Sequence, residues 1–281
     1  KILENIKKKY KPISFKKNIN KFVGLKNPQH FFLGDTLDSL MGLKVLIDKI
    51  DNIKIKNFFI VCFLSIIRRV SRATSQQGRL FLDVDTAEKN VLPFFIKKIE
   101  RFKKRVNDLP ARQKPITIKQ KNILDKNLFK SYFNKADLVI LHPPYFNSYK
   151  YSSITSLETF WMNIDHATIR KNEVREFFKI GKPENHKKFV SDMSITLNNA
   201  MDMLKKGGHL AFMMGDSIIK GQYIELMKKT LDQAKIKKTQ IKTIALRVPK
   251  FTEASWASSQ RRLKNAVGID LNDFVILIKK I

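Results

Sequence analysis

The sequence predicts an α/β protein, helical in its first part and built on a parallel sheet in its second. Three observations carry that expectation. From Thr36 to about Arg72 apolar residues recur at three- and four-residue steps, the period of an amphipathic helix. From residue 137 onward, short apolar runs rich in β-branched residues alternate with helical stretches, the order of strand–helix–strand units with right-handed connections. Between the two, Pro110 and Pro115 bracket a linker, so the chain divides into residues 1–115 and 116–281.

Element by element, residues 1–30 read as a basic, poorly periodic lead-in with few core candidates. Leu37, Leu40, Met41, Leu43, Leu46, Ile47 and Ile50 predict one helix, and Phe58–Val70 a second, more apolar one. Ser71–Gly78 reads as a polar loop with Arg72 and Arg79 at its ends, and Thr86–Val106 as a helix with Lys and Arg on its outer face. In the second half, Ala136–Leu141 has the look of a buried parallel strand stopped by Pro143-Pro144. Ser191–Leu204 has helical spacing and ends at Gly207-Gly208, a good stop. Leu210–Met214 predicts a second buried strand, ending at Gly215-Asp216. A helix over Gln222–Ala234 and strands over Ile241–Val248 and Asp273–Ile278 complete the set.

Charge narrows the partner. Lys and Arg total 55 against 25 acids, a formal net charge of +30 over 281 residues. Residues 1–136 hold 31 of the bases and 11 of the acids, so the first half is the more basic. Such an excess calls for a polyanion. The basic segments lack a clean amphipathic helix with aromatic anchors, which argues against a membrane surface. The single cysteine, Cys62, lies in the apolar run Phe58–Ile67 and reads as a buried, inert thiol. No Cys/His spacing suits zinc, and no metal is expected. FFIVCFLSII is too short to span a bilayer, and no signal peptide precedes it. A reducing, cytoplasmic setting is expected. The first residue is Lys1, so the native polypeptide is expected to extend upstream.

The chemistry-bearing segment is residues 137–151, where a strand delivers His142-Pro143-Pro144-Tyr145 to its carboxyl end. Open α/β sheets place their ligands there. Two prolines fix the backbone and remove N–H donors, leaving carbonyls free to accept. The Leu141, His142 and Pro143 carbonyls could hold an exocyclic amine while Tyr145 walls a planar ring. Asp216 could face the same cleft or cap the following turn. Trp161, one helical turn from Glu158, reads as a packing residue, and Trp256, beside Arg261-Arg262, as either a DNA contact or a satellite core residue.

Leu138–Tyr145 resembles the catalytic motif of exocyclic-amino DNA methyltransferases, and most of all its Ser-Pro-Pro-Tyr branch. Asn147, Tyr149 and Tyr151 resemble that branch's Asn-x-x-x-Tyr continuation, and Leu157–Trp161 its Leu-Glu-x-x-Trp helix. Leu204–Leu210 and Met214–Ser217 resemble the following helix end, Gly-Gly turn, strand and Gly-Asp end, and Phe31–Ser71 the helices that precede the motif in some of these enzymes. The resemblance implies a partial Rossmann-like methyltransferase sheet in the C-terminal half. It implies methylation of cytosine N4, before adenine N6, by S-adenosylmethionine in duplex DNA, within a restriction-modification or similar system. His142, Pro143, Pro144 and Tyr145 would be catalytic, with His142 and Asp216 towards the cofactor. Arg68, Arg69, Arg72, Arg79, Tyr149, Arg261 and Arg262 are the expected DNA contacts.

Two departures stand out. His142 replaces the usual Asp, Asn or Ser; a neutral imidazole can still accept a hydrogen bond, whereas a protonated one cannot. The family's Phe-x-Gly-x-Gly turn has no counterpart, because none of the ten glycines forms a Gly-x-Gly. Phe32–Thr36 imitates it only faintly, and Gly34 reads as a helix-start residue with Asp35 or Thr36 near the cap. The cofactor pocket is therefore expected to be completed by residues outside this chain, upstream or on a second chain. Two alternatives remain open: a noncatalytic DNA-recognition subunit or fragment of a split methyltransferase, and a methyltransferase acting on RNA.

Overall fold

Asparagine side chains start the two longest helices of the N-terminal region. In the computed structural model, Asn52 accepts from the Lys54 and Ile55 amides at the head of one, and Asn90 from the Leu92 amide at the head of the other. Each satisfies amides that have no partner within their helix. The structure describes residues 1–25, 27–76, 79–110, 116–146, 151–172, 184–219, 222–247 and 273–281. The chain forms two units: Lys1–Thr117 with Tyr151–Arg170, and Ile118–Lys150 with Lys171–Ile281.

The first unit is mainly helical. It contains α1 (Ile2–Lys9), α2 (Thr36–Asp48), α3 (Ile53–Val70), the hairpin β1 (Ala73–Gln76) and β2 (Arg79–Leu82), and α4 (Val91–Asn107). The short helices α5 (Tyr151–Ile154) and α6 (Ser156–Trp161) and most of α7 (His166–Asn172) also belong to it. Helical periodicity correctly places α2, whereas α3, expected from Phe58, starts at Ile53 behind its Asn52 cap. Three further expectations need correction. The lead-in gives the core more than the few residues expected: Ile6 of α1 and Phe15 are buried, and Ile2, Leu3, Tyr10, Ile13, Phe22 and Leu25 pack against the same core, half-buried. Ser71–Gly78 is not simply a loop, since Ala73–Gln76 pairs antiparallel with Arg79–Leu82; backbone pairing needs no apolar signature. The fourth helix starts at Val91 rather than Thr86, at its asparagine cap.

At the centre of this unit Trp161 is 1% exposed. Its ring lies 5.8 Å from Phe15, 5.3 Å from Phe22 and 5.5 Å from Phe63, tilted or edge-on, the arrangement aromatic quadrupoles favour. Cys62 is fully buried beside this core, and desolvation pushes its thiol up to about 12. A thiol so protonated is a poor nucleophile.

The second unit is a four-stranded sheet in the order β3-β4-β8-β7, formed by β3 (Ala136–Leu141), β4 (Leu204–Gly215), β7 (Ile241–Arg247) and β8 (Asp273–Lys279). A small antiparallel pair, β5 (Ser217–Ile219) and β6 (Gln222–Ile224), stands apart from it, and the helices are α8 (Glu184–Met203) and α9 (Leu226–Gln233). The sheet is mixed: β3 and β4 run parallel, but β8 is antiparallel to both β4 and β7. The fully parallel core expected from sequence is thus corrected. An apolar run tells which residues face a core, not which way the strand points.

Other boundaries shift too. The strand expected at Leu210 begins at Leu204 and runs through Gly207-Gly208. Gly207 has φ +80, and the Gly207 amide donates to the Lys280 carbonyl at 2.8 Å. A Cβ on Gly208 would stand 3.1 Å from the Ala136 carbonyl oxygen, so this glycine permits the close approach of β3. The helix expected from Gln222 begins only at Leu226, after β6.

One sheet face is closed. Leu210, Phe212 and Met214 of β4 and Ile276 and Ile278 of β8 pack in one core with Phe189, Met193 and Leu197 of α8 and Leu226 of α9. The opposite face is not. Leu138 is 56% and Ile140 74% exposed on β3, an edge strand rather than the buried one expected.

Candidate active site at the end of the parallel strands

The Pro-Pro-Tyr turn leaves the carboxyl end of β3, next to the point where β4 also ends. Phe146 anchors it: the ring is buried against Phe189 of α8, centroids 5.1 Å apart with 64° between the ring planes. Pro143 is buried, His142 is exposed, and Pro144 and Tyr145 are half-buried. The His142 and Tyr145 rings meet edge-to-face at 5.6 Å, with 80° between their planes.

Tyr145 lies along the backbone at the end of β4. A Cβ on Gly215 would stand 3.3 Å from Tyr145 Cε2 and 2.7 Å from Asp273 Oδ1. Glycine at 215 is what lets the phenol ring and the first residue of β8 converge there. Gly215, marked in the sequence only as the glycine that ends the strand, joins the site, as does Asp273, to which sequence reasoning assigned no role there. The readable signal was a glycine ending the strand paired with the one that carries the turn.

Asp216 has settled bonding. Its Oδ2 accepts from the Tyr223 hydroxyl, and its Oδ1 from the Met227 amide at 3.1 Å. Met227 lies in the first turn of α9, so the carboxylate caps that helix from a distance. Burial raises the Asp216 carboxyl above its ordinary range, and the Tyr223 and backbone hydrogen bonds oppose that rise.

The expected DNA contacts fall into different settings. Arg68 Nη2 donates to Glu158 Oε1 at 3.0 Å and to the Ile154 carbonyl at 2.8 Å, so this guanidinium holds α5 and α6 against α3. Arg72 reaches the Asp83 and Val84 carbonyls at 3.4 and 3.5 Å, bracing the hairpin. Arg69 is exposed. Tyr149, Arg261, Arg262, Trp256 and the Arg79 side chain lie outside the described residues.

Neither Gly34 nor Asp216 is placed to hold S-adenosylmethionine. Gly34 has φ +47, but a Cβ there would strike the Glu88 carboxylate. Glu88 Oε1 in turn accepts the Asp35 amide at 2.9 Å, at the N-cap of α2. That glycine turns the chain into a helix and is closed over. Asp216 is committed to Tyr223 and α9. Among the described residues no three His, Cys, Asp or Glu side chains gather as metal ligands, and no helix is long and apolar enough to cross a membrane.

No known family profile matches the sequence, and no curated protein does. Among solved structures, the chain is similar to a candidate DNA modification methylase of Thermus thermophilus, at 12% identity and a TM-score of 0.31. The match covers 55% of this chain and 49% of that one, so it spans about half the length of that protein. A score that low does not establish a shared fold.

Proposed function

We propose that this chain is the base-holding part of a DNA methyltransferase acting on an exocyclic amine, cytosine N4 before adenine N6, in a restriction-modification or similar system. The observation that carries the reading is the half-buried Tyr145 ring, held beside Gly215 where two parallel strands end together. A base turned out of the duplex needs a flat wall and acceptors for its amine hydrogens. Tyr145 supplies the wall. The His142 and Pro143 carbonyls supply acceptors, and neither Pro143 nor Pro144 has an N–H to compete for them. The His142 imidazole, in its neutral form, has a free ring nitrogen that can accept a further N–H. S-adenosylmethionine would supply the methyl group, and residues other than the described ones would hold it. The exposed Leu138 and Ile140 and the open edge of β3 favour a further polypeptide layer there.

The test is methyl transfer from labelled S-adenosylmethionine to duplex oligonucleotides by the native polypeptide, with RNA duplex as competitor. Tyr145→Ala is expected to lower the rate at least about 100-fold, the usual cost of a misplaced reactant, while Tyr145→Phe retains most of it. An unchanged rate in Tyr145→Ala, or competition by RNA alone, sinks the reading. A second reading, a noncatalytic recognition subunit, is favoured by the closure of Glu88 over Gly34 and the engagement of Asp216 with Tyr223 and α9. It expects sequence-selective DNA binding without cofactor and indifferent to Tyr145→Ala.

A further inference from the structure

Helix α4 carries a row of cations of which the fold engages only Lys98, over the Phe102 ring at 5.1 Å, among the described residues. Its buried side is Val91, Phe95 and Ile99, one residue in four. At 3.6 residues per turn, Lys97, Lys98, Arg101, Lys104 and Arg105 fall within an arc of about 120° on another side, over about 12 Å of axis. All but the half-buried Lys98 are exposed. Among the described residues none of the five pairs with a carboxylate. Lys98 feels Arg69, Arg101 and Arg105 strongly enough that desolvation and their repulsion together lower its pKa. Like charges crowded along a rigid helix oppose folding, and a bound polyanion would relieve that opposition.

We propose that this face of α4, with Arg69 at the end of α3, grips the phosphate backbone of duplex DNA. Charge and rigidity select the partner. An anionic membrane is disfavoured, because an amphipathic helix binds lipid through its apolar side and that side of α4 is closed into the core. A strand of B-DNA carries one phosphate per about 3.4 Å of axis, so a row of about 12 Å spans roughly three. Arg101 and Arg105 suit phosphate oxygens through their planar forks. The contact is independent of sequence and would position the duplex rather than read it. The choice of DNA over RNA rests on the reading of the sheet-end site.

The experiment measures binding to a DNA duplex of arbitrary sequence, without methyl donor, across a salt series. The variant is Arg101→Gln/Lys104→Gln/Arg105→Gln; its control is Lys8→Gln/Lys9→Gln/Lys16→Gln, three exposed cations of the same unit that lie off this face. Each lost phosphate contact lowers the slope of log K against log salt by about 0.9. The α4 variant is expected to lose about 2.7 in slope, the control much less, and Tyr145→Ala nothing. Equal losses in variant and control would mean diffuse charge rather than a site; no loss, or loss only with an RNA duplex, also overturns the proposal. Should the triple variant unfold, Arg101→Gln alone is expected to lower the slope by about 1, and an unchanged slope there overturns it equally. Since the readout needs no methyl transfer, it can stand where the enzymatic reading fails, and the reverse.

Discussion

The two units bury apolar side chains in opposite ways. In the helical unit, Trp161 and the phenylalanines around it are enclosed on all sides, and the cations are pushed outward onto α4. In the sheet unit, helices α8 and α9 close one face, while Leu138 and Ile140 on the other are more than half exposed. Both units use large apolar residues at regular spacing. The difference is one of degree, since the first unit also exposes Ile53 (63%) and Val84 (71%) away from its core. A stable sheet needs both faces and its edges accounted for, which makes the exposed face around Leu138 and Ile140 the place to test for a further layer.

Truncating the aromatic centre is the most severe way to probe this difference. Trp161→Ala removes a fully enclosed ring and is expected to cost about 3–5 kcal/mol, the range for large-to-small changes in a core. Denaturant unfolding followed by circular dichroism would measure it. A cost below about 1 kcal/mol would mean that the helical core is looser than its packing indicates.

That core was legible in outline. The three- and four-residue steps of Leu40, Leu43 and Ile47 announce a helix whatever surrounds it, and Phe58–Val70 does the same. Strand β3 and its proline stop were equally plain, because apolar β-branched residues followed by two prolines leave few alternatives. Less could be read where structure depends on partners far along the chain. Gly207-Gly208 resembles a helix stop until the Lys280 backbone is seen to bond across it. Nothing in residues 273–279 declares that the strand inserts antiparallel between β4 and β7. Pairing of Ala73–Gln76 with Arg79–Leu82 is carried by the backbone, and its polar side chains read as loop. At the site, the Pro-Pro-Tyr turn was visible, whereas the approach of Asp273 to Gly215 required the fold. Arg68 looked like a surface cation because its partner, Glu158, lies far away in sequence.

Asp216 offers a finer probe of the sheet unit. Asp216→Ala strips a distant cap from α9 and leaves Tyr223 without its acceptor, an expected loss of about 1–2 kcal/mol. Asp216→Asn keeps an acceptor for the Met227 amide and removes a half-buried charge, so it is expected to be close to neutral. The pH dependence has a definite sign. Burial raises the folded-state pKa of Asp216 above its unfolded value. Its contribution is therefore full below the unfolded value and declines as pH rises through the folded one. Relative to the parent, Asp216→Asn should gain stability as pH rises above the ordinary carboxyl value of about 4. A shift of opposite sign in paired melts would mean that the Tyr223 and backbone bonds outweigh desolvation.

The smallest expected change in stability is the one that most directly tests whether the sheet unit is one side of an assembly. Ile140 is 74% exposed on the open face, so Ile140→Lys should alter the unfolding free energy by no more than about 0.5 kcal/mol. Its effect should appear in solution behaviour. An apolar patch beside an unpaired strand edge favours concentration-dependent association, and a lysine there disfavours it. Sedimentation across a concentration series should show the parent associating and the variant remaining monomeric. In an assembly where a further polypeptide layer covers β3, the same lysine would be driven into a closed interface, and binding of that layer would fail. A cost of more than about 2 kcal/mol in this chain by itself would mean that the face is already covered, and the contrast between a closed helical unit and an open sheet would fall with it.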